Sequence, residues 1–475
     1  MGLSGKEYLN SLLNEICKFE NRLYELSNKA YPAKFFEELI KVDLIPIVEE
    51  FKTIIIKEIS LIEKRTNYTI SNEAVTVITL WSYKKLQNIA KAINNTDFKS
   101  HPLEIMNVFR DIIKEINNED FEILTIPTEI MNFSFQEIWL ELKRFIEDNL
   151  NVIKLNVNKK LIRLSFPEEH KDNLLLSGIF FHEVGHYLER KNKIADKIYT
   201  QLDYNSTEFM NLNRYILNEA TRNPINQINL INIMNKCYLH SWIREIISDS
   251  IAIYMLGPAF IFSMMEFIIT LRGPNLLFNG TLIDSVSYTH PGFKIRFEYL
   301  LEVVQDLDLE SNMPEKIYKK LEDYKVGWDN AAIKLEDNFR YIMGAQSATY
   351  VIHENNRFFT DLEKVARQAF SMVMEETKKL LNKKIINKSI LNTANKLAEE
   401  RYKMILPPNE LDNQAVDSIA ILNSAWYAKI LYKEEMIKSI GNIDELNGEF
   451  DINILINDFI KYALRTSRIQ RRWQA

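Results

Sequence analysis

Cysteine, glycine and proline are all scarce in this chain of 475 residues. Two cysteines, Cys17 and Cys237, are too few for a disulfide framework or a four-cysteine zinc site, and they favour a reducing cytoplasm. Glycine and proline number 12 each, and this shortage favours long helices over turn-rich sheets. The 46% of hydrophobic and 26% of charged residues are typical of a soluble protein with two or three domains.

Long apolar runs are also missing, and the first residues do not have the pattern expected of a secretory signal. The longest uncharged run lies between Asp249 and Glu266, and its 16 residues contain Gly257 and Pro258. A membrane-spanning helix needs about 18 apolar residues, so we predict no membrane span and interpret this run as a buried pair of core helices. The N-terminus has acidic residues where a secretory signal would be basic and then apolar. These absences predict a cytoplasmic location.

Positive charge is not in excess either. The net charge of −6 argues against binding of nucleic acid over the whole surface. Lysines at 378–384 and arginines at 465–472 form local basic patches, which we interpret as a solvated helix face and a helix end. The sequence therefore predicts no nucleic-acid partner.

Apolar residues recur at helical spacing through most of the chain. The region 5–66 predicts at least three helices, separated at Pro32 and Pro46. The pattern is helical again from about residue 313 to the C-terminus, apart from Pro407-Pro408 and a turn at Gly441-Asn442. Further helices are predicted at 72–93, 102–117 and 134–150.

Around residue 151 the apolar period changes from helical spacing to alternation. Ile153, Leu155 and Val157 alternate with polar residues, and a second strand pattern runs over 161–166. Together they predict a β-hairpin just before the most informative segment of the chain. The second strand could pair with an extended substrate.

Histidine is rare, with 7 in the chain, yet residues 181–188 read FHEVGHYL and contain an H-E-x-x-H motif. His182 and His186 are four residues apart, so on a helix they share one face and can bind one tetrahedral metal ion. Glu183 lies about 100° further round, where it can serve as a general base without being a ligand. The pattern is typical of zinc hydrolases.

The helix that carries this motif contains two glycines. Gly178 and Gly185 cost helix propensity, roughly 1 kcal/mol each relative to alanine. A surface helix gains nothing from them, so we expect close packing of their backbone against another element. Asn173 is a plausible N-cap of this helix.

Zinc needs a further protein ligand. The extended motif with a third histidine fails, because position 192 is asparagine. Glu245 and Asp249 form an E-x-x-x-D pattern, which places both carboxylates on one face of a helix. This helix should end near Pro258, because proline cannot continue it. Glu245 would bind the metal and Asp249 would accept a hydrogen bond from a ligand imidazole. Other candidates for the ligand role are Glu219, Glu208 and His240.

These motifs resemble those of the gluzincin metallopeptidases. A third motif, H-P-x-x-x-x-R at 290–296, is similar to a segment of the CAAX-prenyl-protease-like group. The resemblance covers roughly residues 150–300, and it implies that His290 stabilises the oxyanion and that Arg296 helps to organise the site. Members of that group are commonly embedded in membranes, and this chain lacks their spanning helices. Membrane or prenylated substrates are therefore not implied.

The resulting prediction is a mainly α fold with a small β-sheet, and a zincin-like metallopeptidase core flanked by helical regions. The regions are 1–150, 151–300 and 301–475. We expect a soluble zinc metalloendopeptidase that hydrolyses a protein or peptide substrate with Zn²⁺ and the Glu183 base. Alternatives are a catalytically silent, zinc-holding scaffold or interaction protein, and a regulatory protease with one dedicated partner in stress or defence.

Overall fold

The computed structural model divides the chain into two compact units, Met1–Lys171 and Asp172–Ala475. The mainly α fold with small sheets is confirmed. The three-region division stays a prediction. The structure describes residues 5–64, 73–96, 102–117, 121–128, 134–150, 155–220, 227–272, 277–278, 281–336, 339–343, 346–350, 355–440 and 445–474.

The first unit is a helical bundle with one small sheet. Its core is built from apolar helix faces; on the first helix, for example, Leu9, Leu12, Ile16 and Leu23 recur at helical spacing and are buried. The elements are α1 (Gly5–Ser27), α2 (Lys34–Leu39), α3 (Ile45–Lys64), α4 (Glu73–Asn94), α5 (Leu103–Asn117), β1 (Phe121–Thr128), β2 (Ser134–Glu137), α6 (Leu140–Asn149) and β3 (Lys160–Pro167).

The sheet of this unit differs from the predicted hairpin. Strand β3 lies in the centre, parallel to β1 and antiparallel to β2, so both its edges are paired and it offers none to a substrate. Residues 155–159 are not a strand, and 151–154 lie outside the described residues. Side chains explain the difference: Asp43 accepts from the backbone N–H groups of Asn156 and Val157, and the Lys143 ammonium donates to the carbonyl of Leu155.

The second unit, which follows residue 171, contains the H-E-x-x-H motif. Its elements are α7 (Gly178–Asn192), α8 (Ile194–Tyr199), α9 (Thr207–Ala220), α10 (Gln227–Leu256), α11 (Pro258–Arg272), β4 (Leu277–Phe278), β5 (Thr281–Val286), α12 (Phe293–Asp306), α13 (Glu315–Asp329), β6 (Ala332–Leu335), β7 (Phe339–Met343), β8 (Gln346–Tyr350), α14 (Asn355–Gln368), α15 (Phe370–Leu381), α16 (Lys388–Glu400), β9 (Glu410–Leu411), β10 (Gln414–Ala415), α17 (Ser418–Leu431), α18 (Lys433–Ile440) and α19 (Glu445–Gln474).

Helix α7 packs closely against α10 and α11 through its glycines, as predicted. A Cβ atom at Gly185 would lie 2.7 Å from the Ser248 Cα, and one at Gly178 would lie 2.5 Å from the Ser263 Oγ. Real Cβ contacts are never this short, so only glycine allows the backbones to approach so far. Helix α10 ends at Leu256, and the buried α10–α11 pair is also confirmed.

Several predicted helices contain short strands instead. Residues 134–137 form β2 ahead of α6, and the region after 313 includes β6, β7 and β8 among its helices. These strands have only four or five residues, too few for alternation to stand out from the helical patterns on either side.

No helix within the described ranges combines the length and the apolar character that crossing a membrane requires.

Candidate metal centre

Three side chains from two helices meet in the second unit. His182 and His186 lie one turn apart on α7, and Glu245 lies on the neighbouring α10. The Nε2 atoms of His182 and His186 are 3.5 and 3.3 Å from the two carboxylate oxygens of Glu245. One ligand atom from each residue falls within 4.8 Å of the others, so the group can hold one metal ion.

Each of the two histidines is oriented by a further residue of α10, Asp249 for His182 and Ser248 for His186. His182 Nδ1 lies 2.8 Å from a carboxylate oxygen of Asp249, and His186 Nδ1 lies 2.8 Å from the Ser248 hydroxyl. A carboxylate can only accept, so Nδ1 of His182 carries a proton, and Nε2, beside Glu245, is the nitrogen that can bind a metal ion once it has released its own proton. For His186 to bind the same ion through Nε2, the Ser248 hydroxyl must accept from its Nδ1.

Arg296 connects the third sequence motif to this centre. Its guanidinium donates to both carboxylate oxygens of Asp249 at 2.7 Å and lies 3.8 Å from a Glu245 oxygen. Two parallel charge-assisted bonds fix the planes of both groups. Arg296 is on α12, whose first backbone N–H groups donate to the Asp284 carboxylate. A Cβ at Gly292 would lie 2.6 Å from that carboxylate, so any other residue there would have to displace the side chain of Asp284.

His290 lies in the loop before α12, and its side chain faces the carboxylate of Glu245. Its Nε2 is 3.6 Å from a Glu245 oxygen, while its Nδ1 is 2.9 Å from the Thr289 hydroxyl. The side chain is 58% exposed, so it can meet a ligand from solvent. The Trp242 indole N–H donates to the Ser287 carbonyl and anchors the loop to α10.

Burial and charge shift the pKa values of the cluster. Burial raises the pKa of Glu183 to about 7. Burial alone would favour the neutral imidazole of His182, but its hydrogen bonds with Asp249 and Glu245 outweigh burial and raise its pKa to about 10. Burial also opposes ionisation of Glu245 and Asp249, yet the pKa of each lies below its ordinary value. For Glu245 the largest opposing cause is its hydrogen bonds with the histidines, and for Asp249 it is Arg296.

The donor set fits zinc. Two imidazole nitrogens and one carboxylate oxygen match the ligands of catalytic zinc sites, which leave a position open for water or substrate. Each imidazole has a partner on its far nitrogen, as metal-bound histidines almost always do. Within the described part of the chain, no other group of this kind was found.

The other candidates for the third ligand lie elsewhere or are not described. His240 is buried, and its Nε2 is 3.0 Å from a carboxylate oxygen of Asp196. Glu208 is not part of the metal-binding group. The side chain of Glu219 lies outside the described ones. Of the described candidates, Glu245 alone joins the histidines.

Two residues of the centre were not predicted from the sequence, Ser248 and Thr289. Ser248 is three residues after Glu245 and therefore near it on the same helix, a spacing that could have suggested its role. Thr289 has no such signal beyond its place next to His290.

Comparisons of the chain with protein-family models, with curated proteins and with solved structures found no match.

Proposed function

We propose that the protein is a zinc-dependent peptide hydrolase of the gluzincin type. The observation that carries the proposal is the convergence of His182, His186 and Glu245, with both imidazoles held by residues of α10. A purely structural zinc site has four protein ligands, whereas the described group supplies three.

Two further features support hydrolysis over a silent, zinc-holding scaffold. Glu183, partly buried and between the two histidines along the chain, has no use in a scaffold, and its desolvation carries a cost. The sequence motif at 290–296 brings His290 to the carboxylate of Glu245 and Arg296 to that of Asp249, in line with its resemblance to gluzincins. Both features add chemistry that metal binding alone does not need.

When bound, zinc would supply Lewis-acid chemistry, polarising a water and a substrate carbonyl. Glu183 would accept the proton of the attacking water and return it to the leaving amine, and a pKa of about 7 suits both transfers. The neutral His290 would donate from Nε2 to the oxygen of the tetrahedral intermediate. The Thr289 hydroxyl can donate to Nδ1, which leaves the imidazole proton on Nε2. Arg296 would keep Asp249, and through it His182, in place.

The proposal is tested by hydrolysis of an unfolded protein. Zinc-loaded enzyme is incubated with β-casein, and the products are followed by mass spectrometry. Glu183→Gln should lower the rate by about 10²–10⁴-fold while retaining zinc. His290→Ala should lower it by about 10²–10³-fold with little change in KM, because an oxyanion donor acts on the transition state.

Glu208→Gln is the matched control, since it removes a carboxylate of the same unit that is outside the metal-binding group. It should keep full activity. Cleavage that persists in Glu183→Gln would identify a contaminating protease. A zinc-loaded wild-type protein that leaves casein intact over a range of pH would contradict peptide hydrolysis as a general activity.

A further inference from the structure

The turn that ends at His290 is closed by its own hydrogen bonds. The backbone N–H of Ser287 donates to the carbonyl of His290 at 3.1 Å, and the N–H of His290 donates to the Ser287 hydroxyl at 3.0 Å. Residues 287–290 therefore form a compact turn whose parts are fixed relative to one another. Where the exposed imidazole of His290 lies depends on what holds this turn to its neighbours.

Glu336, which follows β6, holds the turn with its backbone and with its side chain. Its backbone N–H donates to the carbonyl of Val286 at 3.0 Å, next to the pairing of β5 with β6. One of its carboxylate oxygens accepts from the backbone N–H of Tyr288 at 2.9 Å. A single residue thus binds the chain just before the turn and again inside it. The second bond has an ionised acceptor and is therefore stronger than a bond between neutral groups.

Aromatic side chains hold the same turn against α10 and α14. The Trp242 indole N–H donates to the Ser287 carbonyl at 3.0 Å. The Tyr288 ring is buried, and its centroid lies 4.9 Å from that of Phe359. The turn is therefore attached through Ser287 and Tyr288, while His290 itself stays exposed.

These attachments matter because an oxyanion donor is effective only when it is in place before the reaction. His290 Nε2 lies 3.6 Å from a Glu245 oxygen, so the attached turn places this nitrogen beside the candidate metal ligands. A donor displaced by about 1 Å can lower a rate about 10²-fold. Whatever fixes the turn therefore contributes to the rate without meeting the substrate.

We propose that Glu336 is a positioning residue for the hydrolysis, and that it fixes the place of His290 through the backbone of Tyr288, with Trp242 as a second attachment of the turn. The inference rests on the proposed function. In this role Glu336 needs an acceptor atom and no negative charge. Glutamine should therefore replace it, whereas alanine should not.

The test compares Glu336→Ala with Glu336→Gln in zinc-loaded protein. Alanine removes the acceptor of the Tyr288 N–H, so kcat on β-casein should fall about tenfold or more, with KM and zinc content unchanged. Glutamine keeps an acceptor oxygen and should restore most of the rate. Trp242→Phe removes the other hydrogen bond to the turn and should also lower kcat.

Asp417→Ala is the matched control. Like Glu336, Asp417 is exposed and accepts a backbone N–H with its carboxylate, in this case that of Ile419 at the start of α17. This variant should lose a comparable hydrogen bond and keep kcat.

Hydrogen exchange of the turn gives a readout that needs no turnover and no metal ion. It is followed by mass spectrometry of a peptide that covers 287–293. Exchange should be faster in Glu336→Ala than in the wild type, because the Tyr288 N–H loses its acceptor. It should be unchanged in Glu336→Gln and in Asp417→Ala.

A wild-type kcat in Glu336→Ala would overturn the proposal, as would unchanged exchange of the turn. Glu336 and His290 line one open cavity of about 410 Å³, so Glu336 has a rival role in binding a basic group of the substrate. A higher KM in both Glu336→Ala and Glu336→Gln, with kcat unchanged, would overturn the proposal in favour of that role.

The two proposals fail separately. Casein cleavage by the wild type, with kcat and exchange unaffected in Glu336→Ala, would keep hydrolysis and refute the positioning role. Faster exchange in Glu336→Ala, with casein left intact by the wild type, would refute hydrolysis and leave Glu336 as an attachment of the turn alone.

Discussion

At the scale of single residues, the centre depends on which nitrogen of each imidazole carries the proton. Asp249 requires a proton on Nδ1 of His182, and Arg296 in turn holds Asp249 by two hydrogen bonds of 2.7 Å. For His186 the corresponding partner is a hydroxyl, Ser248. A carboxylate and a hydroxyl thus have the same role, since each holds the Nδ1 side of an imidazole and places its Nε2 beside Glu245, where it can bind a metal ion.

Removing the hydroxyl should therefore weaken metal binding. We expect Ser248→Ala to lower zinc affinity by about tenfold, because the imidazole of His186 loses its orienting partner. Affinity is measured by competition with a chromophoric chelator. Ser250→Ala is the control: it is also buried on α10, but its hydroxyl accepts from Tyr299 instead of a ligand. Equal losses of zinc affinity in both variants would show a general effect of destabilising α10.

Zinc binding should also compete with a proton. In the metal-free protein the pKa of His182 is raised to about 10, so this imidazole is protonated between pH 6 and 8 and must release its proton to bind zinc. The pKa of His186 is lowered by burial, which favours its neutral form, so above pH 7 His182 is the main source of the released proton. Apparent zinc affinity should rise about tenfold per pH unit over this range, as measured by calorimetry in buffers of different ionisation enthalpy. An affinity independent of pH would contradict this linkage.

At the scale of elements, the site is formed by helices α7 and α10, and close backbone contact at Gly185 sets the distance between them. Helix α7 carries the two histidines, and α10 carries Glu245 together with both partners of the imidazoles. Gly185 lies between His182 and His186 in the chain, at the point where the α7 backbone meets Ser248. The contact that brings the helices together is thus the contact that aligns the ligands.

A methyl group at this contact should damage both stability and metal binding. Gly185→Ala places a Cβ 2.7 Å from the Ser248 backbone, which cannot move aside as a flexible side chain would. We expect a loss of about 1–3 kcal/mol in the free energy of unfolding, and weaker zinc binding. Gly327→Ala on α13 is the control, since its Cβ would meet nothing closer than 4.0 Å. It should be neutral or stabilising; the reverse order in urea unfolding would refute the packing argument.

At the scale of the whole molecule, the sequence predicted the structure best where its local patterns were long and periodic. The mainly α class followed from helical spacing and from the scarcity of glycine and proline. The position of Glu245 and Asp249 opposite the histidines followed from four-residue spacing on two helices. The close packing at Gly185 was predicted because glycine lowers helix stability, and a close contact with another element would offset that loss. Each of these inferences needs only one element and its immediate neighbour.

The failures concern contacts between parts distant in the chain. The hairpin prediction missed Asp43, which lies more than a hundred positions before the N–H groups that it binds. Strand β3 pairs in parallel with β1, which its own alternating pattern cannot reveal. The role of Ser248 depends on where the neighbouring helix places His186. Such partners are fixed by tertiary packing, and no local pattern encodes them.

The proposed centre binds one zinc ion per chain, through His182, His186 and Glu245. The most direct test is the zinc content of purified protein, measured by mass spectrometry of the metal after exchange against a weak chelator. We expect close to one zinc per chain in the wild type and in Glu183→Gln, and almost none in Glu245→Ala. A wild type without bound zinc, or a Glu245→Ala variant that retains all of it, would refute this metal centre.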